Sequence, residues 1–276
     1  MRILFTFMCM LALGVMGCGQ DLGPVAGAGG SGGVAGNGGV GGDGGTGGTA
    51  QCEGAGDGTA CSNGACLDGV CTVLTTVSGT VTVQESLDMD SPAAGATVSV
   101  RKTSLSTTAD EFGEFSFDVF PGLWFFESSK EGTWGFIELY AVPAEGRSDF
   151  EVVVAADAFM AQIEKDLLVD IDDTKGMVTL LFEPAGGMGG ETATLSEPYD
   201  FSLTFDADGE PVLSDKVLPG DEGPILTFGG VDLTEELTVT PVGVDGVNAC
   251  DLEYPGAVYP VMAKTITVVD AACAPL

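Results

Sequence analysis

The residues of this chain that could do chemistry are its cysteines and its acids. Eight Cys stand in a sequence that has no His. Without an imidazole there is no Ser-His-Asp or Cys-His nucleophile, and the commonest metal ligand is missing. No G-x-S-x-G elbow occurs either. Asp and Glu together number 41, so acid pairs are everywhere and a pair alone does not mark a glycosidase couple. Two acidic turns offer the oxygen ligands that calcium prefers: Asp170-Ile171-Asp172-Asp173 and Asp206-Ala207-Asp208-Gly209-Glu210. Neither has the spacing and closing Glu of a full EF-hand loop, and each also reads as a solvated β-turn. The expectation is an absence of catalytic residues, metal site and cofactor, and hence a protein that is not an enzyme.

Four cysteines fall in one short stretch, Cys52, Cys61, Cys66 and Cys71, with the spacing C-x8-C-x4-C-x4-C. Turn dipeptides, Asp57-Gly58, Asn63-Gly64 and Asp68-Gly69, stand just before three of them. So short a stretch cannot bury a core, and covalent closure must take its place. Two disulfides among these four are expected, with three connectivities open. A zinc site built from four cysteines would want C-x-x-C pairs and a reducing compartment. Cys250 and Cys273 remain near the C-terminus and are expected to pair with each other.

Residues 1–17 read as an export signal. Arg2 supplies a positive start, and Ile3 to Met16 is an apolar run of 14 residues. A spanning helix needs about 20, and the flanks fit a signal peptide. The run ends in Val15-Met16-Gly17-Cys18, which resembles the lipobox of bacterial lipoproteins: an aliphatic residue, two intervening residues and an obligatory Cys. The resemblance implies cleavage before Cys18 and diacylation of that residue, and two chains, such as palmitate, hold a protein firmly where one does not. Cysteine parity agrees. Losing Cys9 with the leader and using Cys18 for lipid leaves six, an even number. In such lipoproteins an Asp after the Cys retains the chain at the inner membrane. Here the residue is Gly19, which implies the outer membrane of the cell envelope rather than the inner.

The net charge is −32. So acidic a surface repels phosphate backbones, which argues against nucleic acid as a partner. It also repels anionic headgroups, leaving the lipid as the expected membrane contact. Residues 18–51 read as a disordered tether. Between Gly23 and Ala50, 15 of 28 residues are Gly, too polar and too small-chained to bury a core. Its root-mean-square span is about 30 Å, enough to lift the folded part of the chain clear of a membrane. Gly27-Ala28-Gly29-Gly30-Ser31-Gly32 fits a dinucleotide fingerprint in letters only, since no strand precedes it and no helix comes after it. Gly38-Gly39-Val40-Gly41-Gly42-Asp43 occurs once, without the apolar residue that a calcium nonapeptide needs next.

After the Cys-rich module (52–75) the pattern is all-β, with two β-sandwich domains expected at 76–156 and 176–276. Val77 to Val83 alternates as a strand does. Pro92 to Val100 is a turn feeding a second strand, and Thr107 to Phe117 reads as strand, tight turn, strand. In that turn Asp110 can cap through its carboxylate and Gly113 can supply positive φ. Gly79 and Val81, then Gly95, Ala96 and Val98, then Asp110, Gly113, Phe115 and Pro121-Gly122 together resemble the carboxypeptidase regulatory-like domain, a transthyretin-like sandwich. That resemblance covers about a quarter of the chain. It implies an accessory or binding module with no catalytic residues of its own. The module at 52–71 is similar to small Cys-rich repeats of lipoproteins from Gram-negative soil and marine bacteria.

Residues 157–175 are expected as a short helix and hinge, with Asp157 as N-cap and Phe159, Ile163 and Leu167 on one face. Beyond it, strands are expected at 177–182, 191–195, 200–205, 225–228, 236–240 and 265–269, forming an immunoglobulin- or transthyretin-like sandwich. The functional expectation is a surface- or periplasm-displayed lipoprotein acting as a non-catalytic binding or scaffold module for a glycan or a protein. The alternative is an accessory subunit of a secreted enzyme or envelope complex, with glycan binding if Trp124, Trp134 and Tyr140 form an exposed platform.

Overall fold

Residues 52–87, 89–183, 189–219 and 224–276 are described by the structure, a computed structural model. The leader, Cys18 and the Gly-rich stretch up to residue 51 lie outside the described residues. The described chain starts with a three-stranded ribbon, β1 (Ala60–Cys61), β2 (Gly64–Leu67) and β3 (Val70–Thr72), in simple antiparallel order. Two disulfides hold it: Cys52–Cys66 and Cys61–Cys71. The ribbon rests on the next unit through Ser104, whose amide donates to the Asp57 carbonyl at 3.0 Å.

The first large unit contains β4 (Thr75–Ser86), β5 (Met89–Pro92), β6 (Thr97–Val100), β7 (Ser106–Thr108), β8 (Glu114–Val119), β9 (Gly122–Ser129), β10 (Thr133–Val142) and β11 (Arg147–Ala156). One layer joins β4 to β5 and β8 antiparallel and to β11 parallel. The other joins β7, β6, β9 and β10 in that order. Period-two alternation turns Val77, Val81, Val152 and Val154 inward from one layer and Val98, Val100 and Phe126 from the other, making one sandwich core. Phe150 lies at its centre, with ring centroids 5.0 Å from Phe126 and 4.8 Å from Tyr140.

Two glycines in this unit are required by geometry. A Cβ on Gly79 would come within 1.9 Å of the Phe150 carbonyl oxygen, because β4 and β11 approach there backbone to backbone. Gly113 has φ +78°, and its Cβ would lie 2.4 Å from the Val81 carbonyl oxygen. Gly113→Ala therefore combines left-handed strain of about 1–3 kcal/mol with a clash against backbone. A lower midpoint in urea, by at least that free energy, is the expected result, and an unchanged midpoint would contradict the turn geometry.

Helix α1 (Asp157–Leu167) comes next. Its N-cap is Ala156, with no side-chain capping bond, and Asp157 is already helical. The expected Asp157 cap is thus corrected: the carboxylate turns instead to Lys264 Nζ at 2.8 Å. The helix itself is packed. Phe159, Met160 and Ile163 are buried against Trp134 and Ala155 of the first unit and against Met177, Leu203 and Ile266 further along the chain.

The second large unit contains β12 (Gly176–Glu183), β13 (Thr192–Leu195), β14 (Phe201–Phe205), β15 (Pro211–Leu213), β16 (Ile225–Val231), β17 (Thr234–Leu237), β18 (Val239–Val242), β19 (Asn248–Leu252), β20 (Tyr259–Val261) and β21 (Thr265–Pro275). Its main sheet runs β15-β14-β16-β12-β21, with β19 also on β21. The short ribbons β13–β18 and β17–β20 bring Ala193, Leu237, Val239, Tyr259 and Val261 into a core with one face of this sheet. Val178, Leu180 and Phe182 of β12 point into that core, whereas Met177 packs in the cluster that holds α1. Covered on both faces, β16 is buried at every position. The span expected as one strand at 236–240 is two, β17 and β18, and β15, β19 and β20 are additional. Among the described residues no helix is long and apolar enough to cross a membrane.

The two units share one sheet. β21 pairs with β12 along seven residue pairs, and on its other side takes β10 in parallel through Gly135–Thr265, Phe136–Ile266 and Ile137–Thr267. Arg101 adds a polar tie. Its guanidinium donates to Glu127 of β9 and to Glu235 of β17.

Candidate functional site

The β10–β21 ladder ends at Ile137 and Thr267. Past that point β10 continues with β9 while β21 continues with β12 and β19, so the shared sheet splits into a fork. Alternation decides what faces the fork. Phe136 and Ile266, the next-to-last pair of the ladder, lie on the face that α1 covers. Two residues on from Phe136 comes Glu138; four on from Ile266 comes Asp270. Glu183 ends β12 in the same phase as Thr179 and Leu181. The helix covers the apolar end of this face and stops short of the acidic end.

The fork encloses a cleft of about 580 Å³, lined by Glu138 and Tyr140 of β10, Arg147 and Asp149 of β11, Glu183, Glu253, Tyr254 and Asp270. The Glu253 amide donates to the Asp270 carbonyl at 3.0 Å, which fixes the post-β19 turn against β21. Among the described residues, Arg147 is the sole cation in this lining. It is held by Asp149 at 3.0 Å and stacks over Phe150 at 4.9 Å. The Tyr140 hydroxyl donates to the Glu151 carbonyl at 3.1 Å.

Crowding and burial shift these groups strongly. Loss of water pushes the Glu138 carboxyl up to about 8, and the charge of Asp270 adds to the rise. Asp270 is pushed up to about 7, first by burial and then by Glu253 and Glu183. Burial, with the charge of Glu253, also raises Glu183. Tyr254 rises to about 12 for the same two reasons. Burial and mutual repulsion therefore favour the protonated carboxyls of Glu138 and Asp270.

None of these acids stands out in a chain with 41 of them. The available signal was a carboxylate inside an apolar strand, as in Ile137-Glu138-Leu139 and Val269-Asp270-Ala271. The residues singled out from sequence lie elsewhere. Cys250 and Cys273 face each other across β19 and β21 and are bridged. The sulfurs of Cys52, Cys61 and Cys66 lie within 4.8 Å of one another, but each is in a disulfide and has no thiolate to offer a metal.

Both acidic turns spend carboxylates on their own backbone. Asp206 Oδ1 accepts from the amides of Asp208 and Glu210, at 2.9 and 3.1 Å. Asp110 does the same for Phe112 and Glu114, so the two D-x-x-G-E segments form one turn type. Asp172 Oδ1 accepts from the amide and hydroxyl of Thr174, which hold its carboxyl below the usual range.

The aromatic platform is not formed. Trp134 is buried with the helix, while Trp124 and Tyr140 pack against the first core. An apolar cavity under α1, between Met160, Leu203 and Val268, measures about 100 Å³. Ligand pockets run to about 300–1,000 Å³, so this one is incomplete packing rather than a binding site.

No protein-family model and no curated protein matches the chain. Among solved structures it is similar to a type II cohesin–X-dockerin complex from Acetivibrio cellulolyticus, at 22% identity and TM-score 0.24 over 30% of this chain and 58% of that one. It is also similar to the shaft pilin of Lactobacillus rhamnosus GG, at 12% identity and TM-score 0.22 over 74% of this chain and 99% of that one. The TIE protein of Bacillus anthracis matches at 11% identity and TM-score 0.22 over 73% of this chain and 34% of that one. At such scores the likeness adds nothing to the fold described above.

Proposed function

We propose that this chain is a lipid-anchored, non-catalytic display module of the cell envelope, held at the outer membrane and offering its β-units to a protein partner. The observation that carries this reading is the order of its segments. A lipobox-like Val15-Met16-Gly17-Cys18 is succeeded by a Gly-rich stretch, a disulfide-stapled ribbon and two large β-units. An anchor, a long reach and a stapled foot serve presentation rather than turnover. The resemblance of residues 76–156 to a carboxypeptidase regulatory-like domain supports an accessory role. Trp134 is buried, and Trp124 and Tyr140 are half-buried against the first core rather than forming an exposed platform, which favours a protein over a glycan as the ligand.

Cys18→Ser tests the anchor. In fractionated cells the variant is expected in the soluble fraction while the unaltered chain stays with membranes, and tight membrane association of the variant would refute it. The non-catalytic part is tested by screening the chain against hydrolase substrates. Turnover that disappears in Glu138→Gln or Asp270→Asn would overturn it.

A further inference from the structure

We propose that the fork between β10 and β21 is a pH-operated latch, closed when Glu138 and Asp270 carry protons and loosened when both are ionised. Topology sets the stage. Three residue pairs, Gly135–Thr265 to Ile137–Thr267, are the ladder that joins the two units. Directly beyond them the strands part, and the side chains facing each other across the gap are carboxyls. Glu138 stands on the first-unit side; Asp270, Glu183 and Glu253 stand on the second. An ordinary sheet junction closes with apolar pairs, as this one does at Phe136 and Ile266 on the same face.

Every charged or titratable neighbour bears on the outcome. Tyr140 flanks Glu138 on β10, and Arg147 and Asp149 reach in from β11. Arg147 is shared with Asp149 and with the ring of Phe150, and its charge offsets only part of the rise that burial and Asp270 impose on Glu138. Tyr254 adjoins Glu253, and Tyr259 of β20 feels both Asp270 and Glu253. Neither tyrosine ionises in the working range, because burial raises both.

Glu138 and Asp270 bind protons more tightly folded than unfolded. Their contribution to the closed fork is complete below the ordinary carboxyl values of 4.5 and 3.8 and is lost as pH rises through about 7 and about 8. Ionisation then sets like charges on the two sides of the cleft. The opposite face resists full separation, since Leu139 and Phe125 pack into the second core, with the Phe125 ring 5.8 Å from that of Tyr259. The expected motion is therefore local widening of the fork rather than release of one unit from the other.

Hydrogen exchange on the full chain tests the latch, with rates corrected for the chemical effect of pH. Between about pH 5 and about pH 9, peptides over 135–137 and 265–267, whose ladder joins the two units, should lose protection by about tenfold or more, one factor of ten per unit of proton linkage. A peptide over 77–83 in the first core serves as the internal reference and should hold its protection. In the double variant Glu138→Gln, Asp270→Asn the pH response should vanish. If that variant does not fold, Glu183→Gln alone removes one repelling charge and should make the fall shallower. A flat profile in the unaltered chain, or the same slope in the variants, would overturn the proposal.

Discussion

Phe150→Ala should lower the unfolding free energy of the full chain by about 3–5 kcal/mol, the usual cost of emptying a buried aromatic site. Phe150 is 0% exposed. Its ring meets Phe126 and Tyr140, and the Arg147 guanidinium covers it. The void left by alanine would lie between the two layers, against Phe126 and Tyr140. Urea denaturation followed by tryptophan fluorescence measures it, with Phe112→Ala as the control. Phe112 is 66% exposed at a turn, and its loss should cost no more than about 0.5 kcal/mol. Similar losses for the two variants would show that Phe150 does not organise the core.

Removing both bridges of the N-terminal ribbon, by Cys52→Ser with Cys66→Ser and Cys61→Ser with Cys71→Ser, should unfold that ribbon and leave the rest of the chain standing. Within 52–72 only Cys52, Ala65 and Cys66 are buried hydrophobic residues. The bridges close segments with sequence separations of 14 and 10, for which the chain-entropy model gives about 3 kcal/mol apiece. Against this stand a few backbone bonds and the contact between Ser104 and Asp57. Limited proteolysis should cut the four-Ser variant between residues 52 and 72 within minutes, while the fragment from Thr75 onward persists. Protection of the ribbon in that variant would mean that it docks on the first unit strongly enough to fold without its disulfides.

Much of the architecture was legible because it is local. Alternation in Val77 to Val83 marks a two-faced strand, since side chains in a strand change face at each residue. The Asp110–Glu114 turn announces itself through an acceptor two and four residues ahead of its amide donors and a Gly placed for positive φ. Helix 157–167 follows from an apolar stripe. The size of the Cys-rich stretch demands disulfides, and the four-residue set leaves only the connectivity open. The ladder β10–β21 joins residues about 130 positions apart, and no local pattern says that Phe136 will lie beside Ile266. Any strand with the right alternation satisfies the same rule, and the choice among partners falls to packing of whole layers. The short ribbon strands β15, β19 and β20 escaped notice because three to five residues carry too little periodicity. The raised carboxyls of the fork depend on tertiary structure in a stricter sense. Glu138, Glu183 and Asp270 are ordinary acids in an extended chain, and only folding removes their water and brings their charges together.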